Sequence, residues 1–221
     1  MTQAAPARKV FLTGGTGYLG SRLAGMLRDR GHAVRVLVRP GSEGKVPSGC
    51  EPVSGDALHG LSFAARVAPA DTFVHLVGVS HPSPARAQEF LRVDLASVAA
   101  AVPAALTAGV AHFIYVSVAQ PAPIMRAYVA ARARAEALIR ESGLSATLLR
   151  PWYVLGPGRW WPILLLPGYW VGELLPATRD TARRLGLVTL RQMLAALVHA
   201  VEQPAAGLRV LDVPHIRHFH E

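Results

Sequence analysis

Three glycines, at 14, 17 and 20 in the run Thr13-Gly14-Gly15-Thr16-Gly17-Tyr18-Leu19-Gly20, carry the clearest chemical signal in this chain. They follow a short buried-type run and open a helical one. In that setting Gly14 permits a tight turn, Gly17 lets main-chain amides approach a diphosphate, and Gly20 lets the helix pack closely on the strand. A helix N-terminus there adds free donors and a positive dipole for an anion. The whole turn (Gly14, Gly15, Thr16, Gly17, Tyr18, Leu19 and Gly20) is a candidate dinucleotide site. An ordinary strand–helix turn is the alternative, but the strand before it and the helix after it are the context a phosphate site requires. An acidic residue about 20 positions past the glycines would hold the ribose 2′-hydroxyl of NAD. Here the second strand ends in Arg39, with Arg35 on the same strand. A carboxylate would repel a 2′-phosphate and a guanidinium grips one with paired donors, so NADP(H) is favoured over NAD(H). Gly78, past the end of the fourth strand, leaves space for the cofactor.

Other side chains could act on a substrate. Tyr128 and Arg132, one turn apart, share a helix face. The structural alternative is that Tyr128 packs while Arg132 pairs with Glu136, a further turn on. Ser117 ends the fifth strand. His81, Trp152, Tyr153, Trp160 and Trp161 lie in loops beyond strand ends, where ligand clefts form, and are candidate substrate-pocket residues; packing of a lobe onto the sheet is the other use for the tryptophans. His75, inside a buried strand, reads as a satisfied core histidine, and Asp94 receives no role. No metal site is expected: Cys50 is the single cysteine, and His215, His218 and His220 sit in a tail that reads as a frayed terminus.

Positioning these groups takes an alternation of strands and helices. Buried-type runs at 9–13, 33–38, 51–54, 72–77, 112–116 and 146–149 read as strands, the last ending at Arg150-Pro151. Apolar residues at helical spacing predict helices over 18–30, 84–108 and 124–142, with Gly31 stopping the first and Pro103 kinking or dividing the second. That rhythm makes a parallel sheet covered on both faces, an α/β, doubly wound, Rossmann-like fold. Residues 1–151 are expected to form the dinucleotide-binding domain. Residues 152–221, rich at first in Pro, Gly and Trp and then carrying a helix at 189–202 and a strand at 208–213, are expected to form a small dependent lobe.

Composition narrows the partners. The chain has 221 residues, enough for one full core, and a mean hydropathy of +0.29 excludes a disordered protein. Lys+Arg 23 against Asp+Glu 14 gives a net charge of +9, which favours anionic partners. The arginines are scattered without an aromatic-interleaved stripe, so nucleic acid is not expected. Trp160 to Pro176 is apolar but shorter than a span of roughly 20 residues, and Pro162, Pro167 and Glu173 interrupt it. No transmembrane span is expected; a pocket wall, a protein partner surface and a shallow membrane contact all fit that stretch, and the chain as a whole is compatible with a homo-oligomer. The opening MTQAAPARK lacks an export core, which reads as cytoplasmic.

The TGxxGxxG spacing at 13–20, with VRVLVRP at 34–40, GDA at 55–57, HLVG at 75–78, YVSV at 115–118 and LLRPWYVLGPG at 148–158, resembles the short-chain dehydrogenase/reductase superfamily. It is most similar to the atypical NAD(P)H-binding branch that includes NmrA-like proteins and relatives of the complex I accessory subunit. The resemblance implies that Asp56 reaches the adenine and that Pro151 belongs to the cofactor site. It also implies a catalytic set of Ser117, Tyr128 and the cation four residues on, with the tyrosine moving a proton while hydride moves to or from the nicotinamide. The chain departs from the pattern at that cation: Arg132 stands where active members carry lysine. Arginine stabilises a tyrosinate but does not readily relay protons. Two functions follow as expectations: an NADP(H)-dependent oxidoreductase for a small, largely apolar carbonyl or alcohol, and a non-catalytic NADP(H)-binding redox sensor or assembly factor.

Overall fold

A computed structural model describes residues 6–79 and 83–219. The strands are β1 (Lys9–Thr13), β2 (Ala33–Val38), β3 (Glu51–Ser54), β4 (Thr72–His75), β5 (His112–Val116), β6 (Ala146–Arg150), β7 (Tyr153–Leu155), β8 (Leu187–Thr189) and β9 (Leu208–Asp212). The helices are α1 (Gly20–Asp29), α2 (Pro84–Thr107), α3 (Arg126–Glu141), α4 (Leu166–Leu174), α5 (Arg179–Arg184), α6 (Leu190–Glu202) and α7 (Val213–Arg217). Seven strands form one sheet in the order β3-β2-β1-β4-β5-β6-β9, parallel throughout. The order reverses between β1 and β4, which opens a crevice at the carboxyl ends of those strands. The expected doubly wound α/β architecture is the one observed.

The period-2 alternation of β1 shows how the sheet divides two cores. Val10 and Leu12 join Leu23 and Leu27 of α1 and Leu197 and Val201 of α6 on one face. Phe11 turns to the other, with Phe73 and Phe113, Val98 and Ala105 of α2, and Ile139 of α3. Each such fully buried side chain contributes about 1.5–3 kcal/mol. Gly31, at φ +85°, ends α1 as its sequence position suggested.

The stretch after Pro151 has two different fates. β7 and β8 pair as a separate two-stranded sheet that carries the small lobe with α4 and α5. α6, opened by a capping box between Thr189 and Gln192, covers the main sheet beside α1, and β9 is that sheet's seventh strand. The C-terminal segment thus completes the large layer as well as building the small one.

Pro103 does not divide the long helix. α2 continues through it, because both Pro103 and Ala99, whose carbonyl loses its bond, lie on the exposed side. The departure from α geometry comes earlier, in a π segment at Phe90–Leu95. α2 has the length and apolar composition of a membrane span, yet Val98, Ala101, Val102 and Ala105 are buried against the sheet. The other apolar stretch is split into a 3₁₀ turn at Trp161–Leu165 and α4, neither long enough to cross a bilayer.

Candidate active site

The crevice between β1 and β4 opens into a cleft of about 660 Å³. Its floor is the glycine turn. Gly14 adopts φ +74°, and a Cβ there would lie 2.8 Å from the Leu76 carbonyl carbon at the end of β4, so no side chain fits. The Gly17 amide donates to the Gly14 carbonyl at 3.0 Å, closing the turn. A Cβ on Gly20 would sit 2.6 Å from the Gly15 Cα. The turn therefore folds flat against the sheet and presents backbone. α1 then begins with no acidic residue in its first turn to neutralise its positive end. A backbone floor with an unneutralised helix terminus is what a diphosphate requires, so the residues present fit a dinucleotide.

Gly14, Gly17, Tyr18, Leu19, Gly20, Gly78 and Pro151 line the cleft; Gly15 is buried behind it and Thr16 is exposed at the tip of the turn. Arg39 and Asp56 stand outside the lining, at the ends of β2 and β3. The Leu58 amide holds the Asp56 carboxyl below its ordinary range, and His59 and Arg39 add to this. Arg35 is committed to Glu51 at 3.1 Å and to the carbonyls of Arg66 and Ala68, which takes it out of the cofactor site. Two guanidiniums approach the Tyr18 ring, Arg22 at 4.6 Å and Arg159 at 4.3 Å from its centre. Arg159 thereby pins the small lobe's edge to the glycine turn.

The second wall holds the candidate side chains Ser117, Tyr128 and Arg132. Ser117, just past β5, has its Oγ buried with no hydrogen-bond partner among the described residues. Tyr128, in the first turn of α3, packs on Phe90 with ring centres 5.0 Å apart and lines the cleft. Met125 precedes that helix at φ 55°, an uncommon backbone state for a residue with a side chain. One turn after Tyr128, Arg132 lies buried beneath the cleft wall. Its Nη2 meets Asp94 Oδ1 at 2.5 Å, while Nη1 donates to the Val116 carbonyl at 2.7 Å and to the Tyr115 hydroxyl at 3.1 Å. Its guanidinium carbon is 5.3 Å from the centre of the Tyr128 ring.

The partner of Arg132 is thus Asp94, to which the sequence reading gave no role, and not Glu136. Glu136 is fully buried and takes Arg150 at 2.9 Å, Arg140 at 2.8 Å and Gln120 at 2.7 Å. The π segment places Asp94 opposite Arg132, and π bulges recur at functional sites. An aspartate inside the apolar run VDLASVAAAV was the available signal, because a buried charge demands a partner. Gly78 serves this pair as much as it serves a ligand: a Cβ there would overlap the Arg132 Nη2 and approach Asp94 Oδ1 to 2.9 Å. Burial pushes the Asp94 carboxyl up and the Arg132 charge pulls it back. Burial works against the charge on Arg132, but Tyr115, Tyr128 and Asp94 around it more than reverse this and hold its proton tightly. Burial takes the Tyr115 phenol up to about 12. His75 is the core histidine expected, bonded to Thr13 at 2.9 Å and Ser97 at 3.0 Å and kept neutral by burial, its pKa at about 3.

Of the five substrate candidates, Trp152 and Tyr153 line the cleft, edge-on to one another at 5.7 Å. Trp160 is half exposed and outside the lining, Trp161 begins the 3₁₀ turn in which Pro162 forms the wall, and His81 lies outside the described residues. Among the described residues no cluster of His, Cys, Asp or Glu is arranged to hold a metal.

Comparison with known proteins gives the same outline. Residues 14–157 match a family model described as NAD(P)H-binding. The ceramide reductase of Caulobacter vibrioides is 30% identical over 202 residues, which are 90% of this chain and 62% of that protein, so the chain spans about three fifths of that relative's length. A 4-hydroxy-2-methyl-3-oxo-4-farnesyl-3,4-dihydroquinoline-1-oxide ketoreductase of Stigmatella aurantiaca is 28% identical over 170 residues, 67% of this chain and 51% of the other. The Bordetella bronchiseptica enzyme WbmH in complex with NAD+ superposes with a TM-score of 0.69 at 21% identity, covering 92% of this chain and 75% of that one, a likeness of fold. The chain belongs to the NAD(P)H-binding family, as an atypical member of the short-chain dehydrogenase/reductase superfamily with the NAD(P)-binding fold its oxidoreductases and epimerases share.

Proposed function

We propose that this protein is an NADP(H)-dependent oxidoreductase that acts on a small, largely apolar carbonyl or alcohol. The observation that carries the proposal is the meeting, in one cleft, of a glycine-rich phosphate turn, a Ser117 hydroxyl without a partner among the described residues, the Tyr128 phenol and a permanently charged Arg132. Gly14, Gly17 and Gly20 would hold the diphosphate and Arg39 the 2′-phosphate. When bound, the nicotinamide supplies or accepts the hydride. In the reducing direction Tyr128 gives its phenol proton to the substrate oxygen, and the Ser117 hydroxyl donates a second hydrogen bond to that oxygen. Arg132 stabilises the tyrosinate left behind. Because arginine keeps its own proton, Tyr128 is recharged from water in the cleft.

The apolar substrate class rests on the walls supplied by Leu76, Val79, Trp152 and Tyr153, and on relatives named for reducing ceramide and a farnesylated quinoline ketone. A non-catalytic NADP(H) sensor is the second reading, favoured by the Asp94 clamp on Arg132, which removes the mobile cation a proton relay would use. A panel of apolar ketones and alcohols, followed by NADPH absorbance, separates the two. Turnover that falls at least about 100-fold in Tyr128→Phe supports the enzyme; full turnover in that variant removes Tyr128 from the mechanism, and no turnover on the panel with intact NADPH binding supports the sensor. Fluorescence titration should show NADPH binding tighter than NADH by about tenfold or more, with Arg39→Ala erasing the difference. Tighter NADH binding by the parent protein would reverse the cofactor choice.

A further inference from the structure

The small lobe presents an apolar face for which the fold supplies no cover among the described residues. Trp160 is 54% exposed, Leu164 79%, Trp170 65%, Leu174 75% and Leu175 53%. Large exposed hydrophobics are common singly, but this density within one short segment marks a contact surface. We propose that this face docks the protein, lying flat, on an anionic phospholipid bilayer.

Three features select that occupant. First, the face is shallow and interrupted: Pro162 and Pro167 begin a 3₁₀ turn and then α4, each too short to cross a membrane but suited to lie at its surface. Trp160 ahead of the 3₁₀ turn and Trp170 within α4 fit the headgroup level, where amphipathic tryptophan rings concentrate. Second, the rim is basic. Arg179 and Arg183 are exposed and share a surface groove with Trp170 and Leu174. The stretch from Arg159 to Arg184 holds four arginines against Glu173 and Asp180, in a chain of net charge +9. Guanidiniums beside a lipid surface draw anionic headgroups. A twofold contact with a second copy would set patches of like charge against each other, since an isologous interface uses one surface twice. Third, the face adjoins the mouth of the cleft, whose wall includes Arg159 and Pro162 on either side of Trp160. Docking would turn that mouth toward the bilayer, where an apolar substrate partitions; this last consequence rests on the function proposed above.

Flotation or co-sedimentation of the full chain with vesicles tests the proposal. Vesicles of equal parts phosphatidylglycerol and phosphatidylcholine should bind it, vesicles of phosphatidylcholine alone should bind at least about tenfold less, and raising salt from about 0.1 M to about 0.5 M should release much of it. Trp170→Glu with Leu174→Glu, both exposed and so compatible with folding, should lower binding about tenfold, while Leu61→Glu, on a distant and fully exposed leucine, should not. Equal binding to neutral and anionic vesicles, no binding to either, or full binding by the double variant overturns the proposal. So does a dimer in sedimentation velocity that the double variant converts to monomer without any vesicle binding, which would make the face a self-contact. NADPH titration of the same proteins keeps the two proposals apart: lost nucleotide binding with intact vesicle binding counts against the oxidoreductase and leaves the docking face standing.

Discussion

Helix α3 carries two buried ion clusters a single turn apart, and they are built on opposite principles. At Glu136 one carboxylate receives Arg150, Arg140 and Gln120, so each of its oxygens is engaged. At Arg132 one guanidinium is held by Asp94, Tyr115 and the Val116 carbonyl, yet its Nε and the nearby Ser117 Oγ have no partner among the described residues. The first cluster ties α3 to β6 and to the loop after β5 and is closed. The second lines the cleft and keeps polar atoms without a partner among the described residues. Since a buried polar atom without a partner costs about 1–3 kcal/mol, a fold that retains two of them beside a cavity has the signature of a site, and one that retires every atom has the signature of a strut.

Breaking the strut should produce the largest effect. Glu136→Ala leaves Arg150 without its buried counter-charge, and a loss of about 3–5 kcal/mol in urea unfolding is expected. A loss below about 1 kcal/mol would show that the network is ornamental and the contrast false. Asp94→Asn should cost less, because asparagine still accepts from Arg132, but it should do something Glu136→Ala does not. Removing the Asp94 charge takes away one of the influences that keep the Tyr115 phenol at about 12, so ultraviolet titration should show a phenol ionising at lower pH. An unchanged titration in Asp94→Asn would mean that the pair does not set the electrostatics of the wall.

How much of this was legible in the chain follows from the same contrast. The layers were readable because Val10, Phe11 and Leu12 alternate and because Leu23 and Leu27 share one helix face; such patterns are local. The turn was readable because the positive φ of Gly14 and the close contacts of Gly17 and Gly20 with Gly14 and Gly15 are local, although the Leu76 backbone also crowds Gly14. The Asp94–Arg132 pair was not: an aspartate in an apolar run signals that a partner is needed, but not which one, and the pair joins residues 38 positions apart through a π segment. Arg35 misled for a related reason: its strand position suggested the cofactor, but the carbonyls of Arg66 and Ala68, brought in by the loop before β4, claimed it. β9 was legible as a strand, while its place at the edge of the main sheet depended on β6.

A third buried polar group offers a calibration of intermediate size. His75 sits between Thr13 and Ser97 under the cleft floor, closed like Glu136 but uncharged. Its pKa falls from 6.5 to about 3 in the fold, chiefly through burial and further through Arg132. The unfolded chain therefore takes up a proton below pH 6.5 that the folded chain refuses until about pH 3, so stability should decline as pH falls through that window. Urea midpoints at pH 7 and pH 5 should differ in the parent protein, and His75→Gln should flatten the difference by about 1–2 kcal/mol. An equal slope in the variant would assign the decline to other groups, His112 first, whose pKa burial takes down to about 4.

Ser117 provides the finest test, because the two principles predict opposite signs for it. If its Oγ were part of a strut, Ser117→Ala would lose a hydrogen bond and destabilise the fold by about 1 kcal/mol. Among the described residues its Oγ is instead buried without a partner, so removing it discards an unmet desolvation cost, and the thermal midpoint should hold or rise slightly. The same substitution should lower turnover on any ketone the parent reduces, since the substrate oxygen would lose one of its two donors. Stability retained with activity reduced places the hydroxyl in the site; stability lost with activity intact would make it a structural group whose partner forms only in solution, and would collapse the distinction between the two clusters on α3.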